Sequence, residues 1–261
     1  MRAIQEVRNG AYDDHRLYRG YNTQRPLTSS VIVTDSHVIF EKSIDDIVSS
    51  LGITPPGKIL SDKIKAQEKV RFLDVGCGSG RALIEAKKIH GGAVNCLGIT
   101  GYPYHVHGGR SGEDITSNGI GIIVEDVQKL SRFITKDSFD LVTAIFLFPY
   151  LADPWSVLKQ IYDVLKPGGD AVIYPFPTDT ISPLHGADDA QTVEDFLLRK
   201  FSVKFHKCGD KNLQAVTIHK TAGKLRVPLS YSHTVENGGI HKVDYPIFRY
   251  KLDPRVLSTA K

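Results

Sequence analysis

An α/β fold is predicted for this chain: a mixed seven-stranded sheet, five parallel strands closed by a C-terminal antiparallel hairpin, with helices on both faces. Three observations predict it. From residue 70 onward, short Val- and Ile-rich runs alternate with segments of helical period, the pattern of repeated βαβ units. The first of these runs ends in Asp74, followed by Gly76, Gly78 and Gly80 and at once by a helical pattern. A strand that stops in a glycine-rich turn and re-emerges as a helix is a nucleotide-recognition unit, because glycine lets the backbone approach a ligand. Finally, residues 202–206 and 213–219 alternate polar and apolar around Gly209-Asp210-Lys211-Asn212, which reads as a hairpin and not as a crossover.

The elements follow in order. Residues 1–30 are polar and tyrosine-rich and sustain no period; they read as a loosely ordered arm, or as a lid whose aromatics cover a ligand. Val31-Ile32-Val33 suits a short strand. Ser36 is placed to cap a helix over 37–50, with Val38, Ile39, Ile44, Ile47 and Val48 on one face. Thr54-Pro55-Pro56-Gly57 reads as a linker and 61–67 as a helical turn. Strand one spans 71–75 and helix one 81–90, closed by Gly91-Gly92. Strand two covers 93–100, strand three 121–126 and strand four 139–145. Asp153-Pro154 opens a helix with Asp at the N-cap and Pro at the first helical position. It runs to Leu165, Lys166-Pro167-Gly168-Gly169 ends it, and 171–175 is strand five. Residues 193–201 are helical in pattern, and strand-like pieces recur at 224–229 and 245–252. The expected organisation is an N-terminal arm and helix (1–60), a core domain (61–220) and a C-terminal extension (221–261).

Composition narrows the function classes. With 41% hydrophobic and 24% charged residues, the chain can bury a full core. A net charge of +4, from 33 basic and 29 acidic residues spread along the chain, lacks the clustered basic footprint of a nucleic-acid binder. Cys77, Cys96 and Cys208 have no C-x-x-C spacing, which argues against a disulfide framework or structural zinc and for a reduced, cytoplasmic protein. No run approaches the ~20 apolar residues of a membrane span, so no membrane partner is expected. Nothing in the pattern bears on oligomeric state.

In an open parallel sheet, ligands bind at the carboxyl ends of the strands. There this sequence places Asp74 and its glycine turn, Thr100 at the end of strand two, Glu125 and Asp126 at the end of strand three, and Ile145 and Phe146 leaving strand four. Gly76-x-Gly78-x-Gly80 followed by Arg81 departs from the G-x-G-x-x-G spacing of nicotinamide enzymes.

The stretch Asp74-Val75-Gly76-Cys77-Gly78-Ser79-Gly80 resembles motif I of the class I, Rossmann-like S-adenosylmethionine-dependent methyltransferases. Asp126 matches that family's adenine-contacting acid, and Phe139-Asp140-Leu141-Val142 its strand-four motif. Residues 151–154 and 162–169 match its helix and turn before strand five. The resemblance covers roughly residues 60–220 and implies S-adenosyl-L-methionine as cofactor. By the same resemblance, Asp74, Gly76, Cys77, Gly78, Gly80, Thr100, Glu125, Asp126, Val127, Ile145 and Phe146 line its site. Asp74 would serve the cofactor's ammonium, directly, through water, or by holding the loop. The turn would offer backbone donors to a carboxylate and room for the methionine chain. Asp126 would accept from the adenine amino group, Val127 would offer a backbone donor, and Glu125 would substitute if the register moves by one.

Two features depart from the family pattern. Thr100 stands where an acid commonly grips both ribose hydroxyls. Gly101-Tyr102-Pro103-Tyr104-His105-Val106-His107-Gly108-Gly109-Arg110 stands where a helix normally sits, and its glycines and proline forbid an ordinary one. His105-x-His107 lacks a third ligand, so no metal is expected. His105, His107, Tyr150 and His185 are candidate general bases by position. The amide-methylating signature Asn/Asp-Pro-Pro-Tyr/Phe is absent after strand four, where Phe148-Pro149-Tyr150 stands; oxygen, carbon, amine and thiol acceptors remain. The expected function is methyl transfer to a small-molecule acceptor. A protein acceptor, or a non-catalytic binding subunit on the same fold, are the alternatives.

Overall fold

The computed structural model describes residues 33–34, 37–38, 44–78, 80–101, 115–148, 151, 154–177, 198–199, 201–207, 213–221, 229–240 and 243–252. Two short strands, β1 (Val33–Thr34) and β2 (His37–Val38), pair antiparallel. Helices α1 (Ile44–Ser50) and α2 (Pro56–Ala66) lead into β3 (Val70–Val75). Then come α3 (Arg81–His90), β4 (Val94–Thr100), β5 (Gly121–Val124), α4 (Leu130–Phe133) and β6 (Phe139–Ile145). The core ends with α5 (Pro154–Val164), β7 (Leu165–Pro177), β8 (Val203–Lys207) and β9 (Leu213–His219). β10 (Leu229–Ile240) and β11 (Val243–Leu252) form a separate antiparallel pair, with Ile240 opposite Val243.

The seven core strands lie in the order β5-β4-β3-β6-β7-β9-β8. β3 to β7 run parallel, and β9 joins β7 antiparallel with β8 outside it. This is the predicted mixed sheet closed by a hairpin. The winding reverses between β3 and β6, which opens a crevice at their carboxyl ends. Period-two alternation divides the core. Leu73 and Val75 face α5, joining Val142, Ala144, Leu158 and Ile161. Phe72 faces the other way and joins Leu60 of α2 and Leu83 and Ile84 of α3. Every residue of β6 is buried, as a central parallel strand covered on both faces requires.

Four sequence expectations are corrected. The helix expected over 37–50 does not start at residue 37, and its expected cap Ser36 lies outside the described residues. Thr34 pairs with His37 and Val33 with Val38, so 37–38 are strand, and the described helix spans Ile44–Ser50; β-branched Val33 and Val38 favour the extended pair. The linker read at 54–57 is the start of α2, because Pro56 at the first helical position needs no amide hydrogen. Strand three stops at Val124, and Asp126 instead caps the 3-10 turn Val127–Lys129 through Gln128 N, 3.1 Å from its Oδ1. The Lys166-Pro167-Gly168-Gly169 turn lies inside β7: Leu165 pairs with Phe139 and Asp170 with Leu141, so these four residues bulge out of the ladder. A Cβ on Gly169 would stand 2.9 Å from two carbonyl oxygens, those of Lys166 and Phe139. In the C-terminal extension, β10 and β11 are longer than the pieces read at 224–229 and 245–252, and residues 222–228 lie outside the described set.

Candidate functional site

The carboxyl ends of β3, β4, β5 and β6 bring most of the predicted residues to one end of the sheet. Gly76, Gly78 and Gly80 all have positive φ, at 80°, 54° and 75°, so the turn has a backbone that side chains disfavour. Its donors are more occupied than expected. Gly76 N and Cys77 N both donate to Ile99 O, at 2.8 and 3.0 Å, and Gly80 N donates to Cys77 O at 2.8 Å. The turn is tied down to β4, and what it contributes to a ligand is chiefly room. A Cβ on Gly76 would lie 3.1 Å from the Leu147 side chain, which marks the narrow passage between the ends of β3 and β6.

Asp74 is buried, and Thr143 Oγ1, in register with it on β6, donates to its Oδ1 at 2.7 Å. Burial pushes the carboxyl up to about 6, against the lowering effect of the Thr143 bond; among the described residues no cation is one of the groups that shift it. Cys77 is also buried, and its thiol is pushed well above its usual range by burial and then by the Asp74 charge. Its Sγ lies where a Cβ on Gly98 would come within 2.5 Å, so the small residue in Gly98-Ile99-Thr100 makes room for Cys77.

Thr100 ends β4 as predicted, buried, with its carbonyl accepting from Glu125 N at 2.9 Å. Of the two acids after β5, Glu125 is exposed, whereas Asp126 is partly buried and engaged in its cap. Val127, in the first position of the capped turn, is buried. Ile145 is buried at the end of β6, and Phe146 leaves the strand with φ 57°, a left-handed backbone unusual for an aromatic residue. Its amide donates to Tyr174 O, and its ring stands edge-on to the Tyr174 ring at 5.7 Å. Both rings pack against the buried cluster of Val48, Ile53, Ile145, Val172 and Ala215, which Ile44 and Leu51 of the α1 region also cover; it sets an apolar wall beside the crevice. His105, His107, Tyr150 and His185 lie outside the described residues, as does Ser79.

Sequence reasoning missed Thr143, Gly98 and Tyr174. Only Thr143 carried a signal, as the sole uncharged polar residue in the apolar run 139–145.

The site fits a ligand that brings its own positive charge. The turn has a cradle that a Cβ at Gly76 would narrow, and Asp74 is a buried carboxylate aligned at the topological switch. Residues 73–173 match the family model described as a methyltransferase domain. Sterol 4-C-methyltransferase of Caenorhabditis elegans is 30% identical over 119 residues, 44% of this chain and 34% of the relative. A ubiquinone/menaquinone biosynthesis C-methyltransferase of Geotalea daltonii is 32% identical over 44% of this chain and 49% of its own length. Cycloartenol-C-24-methyltransferase of Arabidopsis thaliana is 31% identical over 48% of this chain and 37% of its own length. The chain thus spans a third to a half of the relatives it matches.

The match over residues 73–173 is to a methyltransferase domain, and the sheet order and glycine turn around it agree with the resemblance to the class I S-adenosylmethionine-dependent methyltransferases. The cofactor of that family is S-adenosylmethionine. Among the described residues, no helix is long and apolar enough to cross a membrane.

Proposed function

We propose that this chain transfers a methyl group from S-adenosylmethionine to a small-molecule acceptor. The observation that carries the reading is the crevice between β3 and β6, where an open glycine turn lies beside the buried Asp74 carboxylate. The cofactor, when bound, supplies a methyl group on a sulfonium, open to in-line displacement. The protein has to align the acceptor, exclude water and, where the acceptor needs it, remove a proton. Asp74 would offer a negative charge to the methionine end, and Asp126 with Val127 would hold the adenine. Phe146 and Tyr174 flank the crevice with apolar surface, which suits an apolar acceptor and keeps water out. The matched relatives, named for sterol and quinone methylation, support an acceptor of small-molecule type. The base is sought among His105, His107 and Tyr150, and a reduced cytoplasmic setting suits the buried free Cys77 and Cys96.

Titration calorimetry with S-adenosylhomocysteine tests the reading. Micromolar binding is expected; no heat at millimolar ligand would overturn it. Radiolabelled methyl transfer to a panel of quinols, phenols and sterols then identifies the acceptor class.

A further inference from the structure

Thr143 is the residue to which nothing in the sequence pattern assigned a role. It sits in the middle of the switch, on β6, directly opposite Asp74 of β3. Its hydroxyl is buried and donates to Asp74 Oδ1 at 2.7 Å. Short hydrogen bonds to a carboxylate favour its ionised form, and they fix its orientation. We propose that Thr143 is a positioning residue for the cofactor: its hydroxyl fixes the Asp74 carboxylate as the counter-charge that receives the cofactor's ammonium group. The inference rests on the cofactor reading above and goes beyond it by assigning the residue that makes Asp74 competent.

The surroundings of Asp74 give the bond its weight. β4 presents Gly98 opposite Asp74 in the ladder, with no polar side chain to offer. The turn presents Cys77 and β4 presents Cys96, and the charge of Asp74 works against ionisation of both thiols. Burial raises the Cys96 thiol to about 12, so it stays neutral. β6 presents Thr143, whose bond opposes the burial that lifts Asp74 to about 6. Among the described residues, the hydroxyl is therefore the one group acting on Asp74 that favours the anion. A buried carboxylate at this balance point is half protonated in mildly acidic solution, and a ligand cation binds its ionised form. Loss of the hydroxyl moves the balance point upward and with it the pH at which the cofactor binds well.

The test pairs a direct titration with binding. Aspartate-selective ¹³C labelling follows the Asp74 carboxyl in the wild type, Thr143→Val and Thr143→Ser, and Asp74→Asn assigns the resonance. S-adenosylhomocysteine affinity is measured on the same proteins across the pH range from mildly acidic to mildly basic. Thr143→Val should raise the Asp74 midpoint by about one pH unit. It should weaken S-adenosylhomocysteine binding about fivefold near the wild-type midpoint, with the gap closing at about two pH units above it. Thr143→Ser should restore both. An unchanged midpoint, or a loss of affinity that is equal at every pH, overturns the proposal and leaves Thr143 a packing residue. If the wild type binds no S-adenosylhomocysteine at any pH, the cofactor reading itself fails. The Thr143 role toward the ammonium falls with it, while the carboxyl titration still reports whether the bond holds the anion.

Discussion

At the level of single residues, the site is built from steric exclusions as much as from charges. Gly98 shows this. Its position on β4 is legible as part of a strand, but its identity follows from what stands over it: Cys77 Sγ at 2.5 Å from a Cβ, and Ile122 Cδ1 and Leu83 Cδ1 at 2.8 Å. Cys77, within the glycine turn, and Leu83 are buried and have little room to give, while Ile122 is partly buried. Gly98→Ala should cost about 1–3 kcal/mol of overpacking, read by urea unfolding. Adding Cys77→Ala should recover part of the loss, since the two positions share the strained contact. Two equal and additive losses would refute the account. Asp74 was legible from its motif. Its partner Thr143 lies 69 residues away, a separation no local pattern spans.

Elements pack through polar contacts that the sequence pattern did not reveal. α1 is held by Asp45, whose Oδ1 accepts from Gly57 N at 3.0 Å at the amino end of α2. A Cβ on Gly57 would fall on that carboxylate, which explains a glycine inside a helix start that read as a linker. On α3, Glu85 is pushed up to about 7, by burial first and then by the Asp45 charge. Its folded value stands above its ordinary 4.5, so the contribution of Glu85 to stability is fully present below that value. It is lost as pH rises through about 7. Glu85→Gln should therefore raise the melting temperature at mildly basic pH, by roughly 1–2 °C given its partial exposure, and flatten the decline between acid and basic solution. A melting curve whose pH dependence is unaltered by the substitution would exclude the pairing. The apolar face of α1 was partly legible, since Val48 and Ile44 were assigned to it. That it shares one apolar cluster with Phe146 and Tyr174 was not, because the cluster joins α1 to the ends of β6 and β7, far away in the chain.

Across the whole molecule, one buried lysine ties the antiparallel side of the sheet to the parallel side. Lys220, just past β9, donates through Nζ to Asp137 Oδ1 and Leu165 O at 2.7 Å each and to Asp163 O at 3.3 Å. Its backbone grips the bulge in β7, with Gly168 N donating to Lys220 O at 2.7 Å and Lys220 N to Gly169 O at 2.8 Å. The ammonium also lies 5.1 Å from the centre of the Tyr162 ring. Lys220→Met keeps the stem and deletes the charge, removing the ammonium's bonds to Asp137 and to the Leu165 carbonyl, and should destabilise by about 2–4 kcal/mol in urea unfolding. The contact lies at the amino end of the parallel strands, remote from the crevice. S-adenosylhomocysteine affinity should be unchanged, and a large loss of affinity in a folded variant would contradict this placement.

Local sequence pattern carries the alternation of strands and helices, the terminal hairpin, and the strand ends at or just beyond which Asp74, Thr100, Asp126 and Phe146 lie. Those follow from hydrophobic period and from glycine and proline chemistry, which act over a few residues. Tertiary structure decided what each of those residues meets. The opposition of Asp74 and Thr143, the clearance of Gly98 under Cys77 and the folding of the Lys166-Pro167-Gly168-Gly169 segment into β7 depend on which strands lie side by side. Strand order is fixed by packing over the whole core, through contacts between residues far apart in the chain, and no short window of sequence carries it.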